Sequence, residues 1–127
     1  MAIPGDLDQK ARRILVVEDE TMIRMLLEDM LSELGYTIAA GAGRVDEALK
    51  AARTEDFDLA ILDVDLNGQP SIAVADELAA RGTPFVFATG YGEQGLPEPH
   101  RDRPTLKKPF QLDGLKQMLE AALANGG

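Results

Sequence analysis

The sequence has no cysteine, no tryptophan and a single histidine, and aromatic residues make up only 5% of it. Without cysteine, the chain can form neither a disulfide framework nor a thiolate nucleophile or metal site. No apolar run approaches the roughly 18 residues that a membrane-spanning helix needs. No basic segment followed by an apolar run marks a signal peptide. We therefore expect a cytoplasmic protein that does not associate with membranes.

Positive charge is also scarce. The chain has 13 lysine and arginine residues against 22 aspartate and glutamate residues, which gives a formal net charge of −9. A surface that binds nucleic acid needs clustered basic residues to contact the phosphates, so no nucleic-acid partner is expected. The acidic excess indicates either general solubility or a group of carboxylates that binds a cation. Composition alone does not separate these two interpretations.

Short apolar segments alternate with amphipathic ones along the 127 residues, a length typical of one domain. The segments RILVV, DLAIL and PFVFA are continuously hydrophobic, as in parallel strands that are covered on both faces. Alternating strands and helices predict an α/β layer fold. We expect strands at 13–17, 36–40, 58–62, 84–88 and 105–108, and helices at 21–34, 45–55, 71–82 and 112–124.

We expect the methionine and leucine residues of 22–34, Met22 and Met25 included, to lie in the core, and the predicted helix 21–34 carries an apolar stripe. Its members are Ile23, Leu26, Leu27, Met30, Leu31 and Leu34. Gly35 follows where a C-terminal helix cap belongs. Ser71 precedes the third helix, where its side chain would act as an N-terminal cap.

The segment 89–104 departs from the alternation, since it contains three prolines and three glycines and lacks a helical stripe. We expect the fourth helix of the fold to be short or disordered here, with at most one weak helical turn in a mobile loop. His100 lies in this segment and is interpreted as a surface residue. The expected organisation is a flexible lead-in at 1–11, one folded domain at 12–124 and a tail at 125–127.

The stretch ILDVDLNG, residues 61–68, is compatible with three chemistries. A calcium loop starting at Asp63 would need a bidentate acid at its twelfth position, which here is Val74. A phosphatase of the haloacid dehalogenase superfamily, which the D-x-D pair resembles, usually has this motif on its first strand, whereas Asp63 follows the third. The remaining interpretation is one phosphorylatable aspartate beside a metal ion.

Residues elsewhere favour that third interpretation. Ligands of an open α/β sheet bind outside the carboxyl ends of the strands. At these ends the sequence places Glu18 and Asp19, then Asp63, Thr89 and Lys108. Each residue alone is an ordinary turn or surface residue. Together they predict one site that combines three acids, a hydroxyl and a cation.

The stretches VVEDE, ILDVDLNG, FATGYG and LKKPF, in this order, resemble the receiver domain of bacterial two-component response regulators over about residues 12–124. FATGYG also resembles a subgroup of receivers known for an F-A-T-G-Y stretch, several of which are stand-alone proteins. The resemblance implies a doubly wound, flavodoxin-like fold. Its five-stranded parallel sheet would have the order 2-1-3-4-5, with helices on both faces.

By this resemblance, Asp63 is the phosphoacceptor of a phosphoprotein that works in a two-component system or phosphorelay. The implied ligands of a Mg²⁺ ion, for which Mn²⁺ could substitute, are Glu18, Asp19, Asp63 and the backbone carbonyl of Asp65. Lys108 would pair first with Asp63 and then with the phosphoryl group, which Thr89 would also contact. The peptide bond before Pro109 would be cis and would aim Lys108 inward.

One position departs from the family pattern. Many receivers have Tyr or Phe three residues before the conserved lysine, where this chain has Thr105. The usual aromatic switch is therefore missing, and Tyr91, the nearest aromatic residue, matches no switch position. We treat Asp65, Tyr91 and Thr105 as candidate modulators. A change of residues 89–104 from disorder to order is the expected switch.

The expected function is Mg²⁺-dependent phosphoryl transfer to Asp63 from the phosphohistidine of a sensor histidine kinase or a histidine phosphotransfer protein. Phosphorylation would then alter the binding of a downstream protein partner. We expect no output domain, and no enzyme activity beyond self-phosphorylation from small donors and slow self-dephosphorylation. The alternatives are a receiver-fold binding module that works without phosphorylation and a dehalogenase-type phosphatase.

Overall fold

A computed structural model of the chain describes residues 12–89, 105–108 and 110–126. The expected lead-in at 1–11 lies outside these residues. So does the segment 89–104 beyond Thr89, with its expected weak helix, Tyr91 and His100, and so does the expected cis bond at Pro109. The fold and the site are therefore described from the remaining residues.

From β1 to β3 strands and helices alternate as the sequence predicts, whereas β3, β4 and β5 follow one another without a helix. The strands are β1 (Arg13–Val17), β2 (Thr37–Ala42), β3 (Leu59–Asp63), β4 (Asp65–Leu66), β5 (Gln69–Pro70), β6 (Phe85–Thr89) and β7 (Thr105–Lys107). The helices are α1 (Thr21–Glu33), α2 (Val45–Thr54), α3 (Ile72–Ala80) and α4 (Leu112–Gly126). The last helix thus continues past residue 124, the expected end of the domain.

Five strands form one parallel sheet in the order β2-β1-β3-β6-β7. This confirms the doubly wound order 2-1-3-4-5 that the family resemblance implies. The register places Val17 of β1 opposite Leu62 of β3, and Asp63 of β3 opposite Ala88 of β6. β4 and β5 pair separately as a two-stranded antiparallel hairpin.

Apolar side chains fill both faces of the sheet. Val17, Leu62 and Phe87 belong to one buried cluster, together with side chains of α2 and α3. Val16 and Ile61 belong to the other, together with side chains of α1 and α4. The central strands are therefore covered on both sides, which explains why their sequences are continuously hydrophobic.

The core positions predicted for α1 are wrong at three residues. Leu27 and Leu31 are buried, but Met22, Met25 and Leu26 are 84%, 57% and 51% exposed and lie on one surface of the helix. Leu26 is about 100° around the helix from Leu27, so it falls at the margin of the buried stripe. The hydrophobic pattern alone therefore predicted a buried face that is wider than the one in the structure.

Glycines end two of the helices, and the sequence predicts the one at Gly35. Gly35 has φ +95°, and the N–H groups of Gly35 and Tyr36 donate to carbonyls in the last turn of α1. Gly82, with φ +70°, ends α3 in the same way. Glycine adopts this left-handed conformation without the strain that a Cβ would add.

None of the helices in the described residues has both the length and the hydrophobicity to cross a membrane.

Candidate phosphoacceptor site

The ends of four parallel strands bring five polar residues together at one edge of the sheet. Glu18 and Asp19 follow β1, and Asp63 is the last residue of β3. Carboxylate oxygens of these three residues lie within 4.8 Å of one another. Thr89 ends β6, and Lys108 directly follows β7. The structure thus assembles the group of residues that the sequence places at the strand ends.

A cavity of about 210 Å³ opens among these side chains. It is lined by Asp19, Glu20, Asp63, Val64, Asp65, Thr89 and Lys108. Since a water molecule occupies roughly 30 Å³ of liquid volume, the cavity suits a hydrated cation or a phosphoryl group better than a large substrate.

Lys108 connects two of the three carboxylates. Its Nζ lies 2.8 Å from Oε1 of Glu18 and 3.2 Å from Oδ2 of Asp63. Glu18 is only 2% exposed, so its charge is stabilised by this ion pair and by the N–H of Glu20, which donates to Oε2 at 3.1 Å. The pairing of Lys108 with Asp63 was expected from the sequence, whereas the shorter contact with Glu18 was not.

The crowding of charges changes two pKa values. Burial and the charge of Glu18 raise the pKa of Asp63 to about 7, although the ammonium of Lys108 opposes this. Burial alone would lower the pKa of Lys108. The hydrogen bond with Glu18 and the charge on Asp63 outweigh burial and raise the pKa of Lys108 instead. Lys108 is therefore a permanent cation at neutral pH, whereas Asp63 is partly protonated when no cation is bound.

Asp19 is electrostatically different from Asp63, although the two carboxyls are neighbours. Burial alone would raise the pKa of Asp19, but hydrogen bonds with Glu18, with the backbone of Asn67 and with Asp63 lower it overall. Asp19 Oδ2 accepts the N–H of Asn67 at 3.1 Å. Asp19 therefore remains ionised and borders the cavity, which makes it well suited to direct contact with a cation.

The polar half of ILDVDLNG forms the turn of the β4–β5 hairpin. Asn67 and Gly68 have φ angles of 53° and 85°, and Asn-Gly is a favoured pair for a two-residue hairpin turn with positive φ at both positions. Asp65 Oδ2 accepts the N–H of Gly68 at 3.1 Å. From the sequence, this stretch was interpreted only for metal and phosphoryl chemistry, and the hairpin was missed. The Asn-Gly pair was the signal that could have revealed it.

Ser71 is another residue whose role sequence reasoning missed. It occupies the N-cap position of α3, but its side chain makes no capping hydrogen bond. Its hydroxyl instead contacts the carbonyl oxygens of Asp63 at 2.6 Å and Val64 at 3.0 Å. The expected side-chain cap is therefore wrong: the hydroxyl donates to carbonyls at the end of β3 and accepts no N–H from the first turn of α3.

The two threonines occupy different positions relative to the site. Thr89 is 3% exposed and borders the cavity, and its carbonyl accepts the N–H of Lys108 at 3.0 Å. Thr105 is half-buried at the start of β7, opposite Phe87 in the register. Of the two, only Thr89 is among the described residues that line the cavity.

The donor atoms at this edge fit a hard divalent cation. Carboxylate and carbonyl oxygens are the ligands that Mg²⁺ and Ca²⁺ prefer. Glu18, Asp19 and Asp63 provide three carboxylates in one group, and a cation would relieve the repulsion among them. The chemistry of the residues present is therefore compatible with the Mg²⁺ that the family resemblance implies.

Comparisons with known proteins agree with this geometry. A family model described as the response regulator receiver domain matches residues 14–120. The transcriptional regulatory protein PdtaR of Mycobacterium tuberculosis is 38% identical over 117 residues, which cover 89% of this chain and 57% of PdtaR. The chain spans only about half the length of several curated relatives that it matches.

Two solved structures of proteins named SdrG are also similar. The solution structure of SdrG from Sphingomonas melonis Fr1 has a TM-score of 0.81 and 45% identity, and the match covers 91% of this chain and 98% of the SdrG chain. The BeF3-activated conformation of SdrG from Pseudomonas melonis Fr1 has a TM-score of 0.76 and 46% identity, with 87% of this chain and 95% of that chain covered. Together with the strand order and the residues at the strand ends, these matches establish that the chain belongs to the response regulator receiver domain family.

Proposed function

We propose that Asp63 accepts a phosphoryl group from a phosphohistidine in an Mg²⁺-dependent reaction. The observation that carries this proposal is the Glu18–Lys108–Asp63 network beside a small cavity. Receiver domains are signalling modules of two-component systems, which interact with histidine kinases and with downstream partners. The donor would therefore be a sensor histidine kinase or a histidine phosphotransfer protein.

The transfer itself requires one bond to form and one to break. A carboxylate oxygen of Asp63 attacks the phosphorus atom, and the phosphorus–nitrogen bond of the phosphohistidine breaks. The bonding electron pair stays on the imidazole nitrogen, which then takes up a proton. The product is an acyl phosphate on Asp63.

Most of the catalytic effect comes from positioning and charge rather than from covalent help. Lys108 already lies 3.2 Å from Asp63 Oδ2. The Lys108 ammonium is a compact point charge on a flexible side chain. It can therefore pair first with the Asp63 carboxylate and then with the phosphoryl oxygens. Thr89, which borders the same cavity, would donate its hydroxyl to another phosphoryl oxygen.

Glu18, Asp19 and Asp63 would hold the metal ion, together with the backbone carbonyl of Asp65. When bound, Mg²⁺ supplies positive charge that neutralises the phosphoryl oxygens in the transition state. The side chain of Asp65 has a different partner: its Oδ2 accepts the N–H of Gly68 within the hairpin.

Intact mass spectrometry after incubation with MgCl2 and acetyl phosphate tests the proposal. The wild-type protein should gain one phosphoryl group and lose it slowly, and Asp63→Asn should gain none. Asp65→Asn is the matched control: it removes a carboxylate two residues away and should still be phosphorylated. Uptake of an acid-labile phosphate by Asp63→Asn would refute the acceptor assignment.

The same experiment separates the alternatives. Repeated turnover of acetyl phosphate without a stable adduct would indicate a phosphatase. Absence of any adduct on the folded wild-type protein, with acetyl phosphate and with a histidine phosphodonor, would indicate a binding module that works without phosphorylation.

A further inference from the structure

Ser71 is almost fully buried, and the chemistry proposed above does not use it. It is 1% exposed, and its hydroxyl lies 2.6 Å from the carbonyl oxygen of Asp63 and 3.0 Å from that of Val64. Its own N–H also donates to the Val64 carbonyl at 3.0 Å. A buried serine thus contacts the backbone of the proposed phosphoacceptor and of the residue after it.

The geometry of β3 explains why a donor is needed there. Val64 donates its N–H to Ala88 of β6 at 3.3 Å. The carbonyl of Asp63 belongs to the same trans peptide and therefore points the opposite way, toward β1. However, β1 ends at Val17, which lies opposite Leu62 in the register. No residue of β1 lies opposite Asp63, and the hydroxyl of Ser71 takes the place of a strand donor.

The orientation of this peptide determines where the chain goes after Asp63. Rotating it would leave the Cβ of Asp63 in place, because the strand fixes the atoms that precede the carbonyl. It would move Val64 and Asp65 relative to the Asp63 carboxylate. In the structure, the N–H of Asp65 is 3.5 Å from Asp63 Oδ1. That spacing depends on the peptide that Ser71 holds.

We propose that Ser71 is a positioning residue: its hydroxyl fixes the Asp63–Val64 peptide and thereby places the backbone of Asp65 at the cation and phosphoryl site. This inference rests on the proposed function, since the Asp65 backbone matters only if the site binds these groups. Ser71 is not among the described residues that line the cavity. It acts through the peptide alone.

Mg²⁺ binding measured by calorimetry is the first test. Residues that hold metal ligands in place typically contribute about 10-fold or more to metal affinity, so Ser71→Ala should raise the Mg²⁺ dissociation constant by about that factor. The rate of phosphorylation by acetyl phosphate should fall at low Mg²⁺ and recover at saturating Mg²⁺. Ser71→Thr, which retains a hydroxyl, should restore the affinity.

A matched control separates positioning from lost stability. Val74 is fully buried on α3, three residues from Ser71, and packs in the apolar cluster. Val74→Ala should lower the melting temperature but leave Mg²⁺ affinity within about 2-fold of the wild type, because conservative core truncations act mainly on stability. Equal losses of affinity in Val74→Ala and Ser71→Ala would overturn the inference.

If Ser71→Thr does not fold, the amide resonances of metal-free Ser71→Ala still test the inference. The amide resonances of Val64 and Asp65 should shift in Ser71→Ala, whereas those of Gly82 and Thr83 at the far end of α3 should not. Unchanged Val64 and Asp65 resonances with wild-type Mg²⁺ affinity would refute the positioning role.

The outcome for the proposed function can be told apart from the outcome for Ser71. If Asp63→Asn were still phosphorylated, the proposed function would fail. If Asp63→Asn were not phosphorylated and Ser71→Ala behaved like the wild type, the positioning role of Ser71 would fail and the proposed function would stand.

Discussion

The proposed phosphoacceptor site lies between two walls of different chemistry. The charged wall consists of Glu18 and Lys108, which are linked by a 2.8 Å ion pair. The backbone wall consists of Ser71 and the β4–β5 hairpin, which are held by hydrogen bonds to or from main-chain groups. A phosphoryl group arriving on Asp63 changes the charge that the first wall must balance. The second wall is held through main-chain N–H and carbonyl groups, which carry no net charge to rebalance, so it can keep its geometry.

Because the two walls differ in chemistry, we expect them to have different roles in the site. The charged wall should respond to pH and to bound metal, because its energies are electrostatic. The backbone wall should control the shape of the site and respond mainly to substitutions that alter hydrogen bonds or φ angles. The variants below test that division.

Removing the ammonium of the charged wall should have the largest effect on stability. Lys108→Ala leaves the buried Glu18 without its ion-pair partner, and breaking such a pair from one side costs about 3 kcal/mol of unfolding free energy. Urea denaturation at neutral pH in metal-free buffer measures this loss. Lys107→Ala, which removes an exposed neighbouring lysine, should change stability by less than about 0.5 kcal/mol. Equal losses in the two variants would contradict a special role for Lys108.

Adding the cation should have the next largest effect. A ligand that binds only the folded state contributes about 2.7 kcal/mol at a hundredfold excess over its dissociation constant, so the melting temperature should rise with millimolar MgCl2. Asp19→Asn should lose most of this rise. If the melting temperature of Asp19→Asn rose as much as that of the wild type, the cation would bind elsewhere.

The raised pKa of Asp63 leads to a pH-dependent prediction in metal-free buffer. Folding raises this pKa from its ordinary value of 3.8 to about 7, so in that window the folded state binds more protons than the unfolded state. Wild-type stability should therefore fall as pH rises from about 4 to 7. Asp63→Asn has no titrating carboxyl group at this position, so its stability should not fall for this reason.

The stability of Asp63→Asn relative to the wild type should consequently grow by about 1.5 kcal/mol between pH 5 and pH 8, once solvent screening at this open site is allowed for. Thermal melts across that pH range measure the difference. Asp65→Asn, in the exposed hairpin, should not show this growth. A constant difference between Asp63→Asn and the wild type would mean that Asp63 is not the group that titrates.

The smallest effect is expected in the backbone wall. Gly68→Ala places a Cβ on a residue with φ +85°, which costs about 1 kcal/mol. The loss should be independent of pH and of salt. Gly114→Ala is the matched control, because Gly114 lies within α4 and a methyl group added there would meet no heavy atom within 4 Å among the described residues. There, alanine should stabilise the helix by about 0.5–1 kcal/mol. If Gly68→Ala and Gly114→Ala changed the unfolding free energy in the same direction, backbone conformation would not be the cause.

Hydrophobic periodicity was sufficient to predict the layers of the fold. β1 has the predicted bounds, and α1 ends one residue before its predicted end. Continuous apolar runs predicted parallel strands because burial on both faces leaves no polar side. The order of the strands, by contrast, came from the family resemblance, since no local pattern encodes which strands are neighbours.

The site was less fully predictable. Single charged residues after strands could be placed at one edge because parallel strands end together, which located Asp63 and Lys108. The Glu18–Lys108 contact could not be predicted, because it depends on side-chain reach across the sheet. The hydroxyl of Ser71 was assigned to the wrong partner. Its competing acceptors are carbonyls seven and eight residues earlier, and only the three-dimensional fold brings them within reach.

The position of β7 has a consequence for how the site opens. Among the described strands, β7 is three residues long and pairs with β6 alone. The N–H of Lys108 is held by a single bond to Thr89. Such a short edge strand should open locally at far less cost than global unfolding. The hydrogen-exchange rate of the Lys108 amide would then report how often the ammonium leaves the carboxylates while the rest of the sheet stays intact.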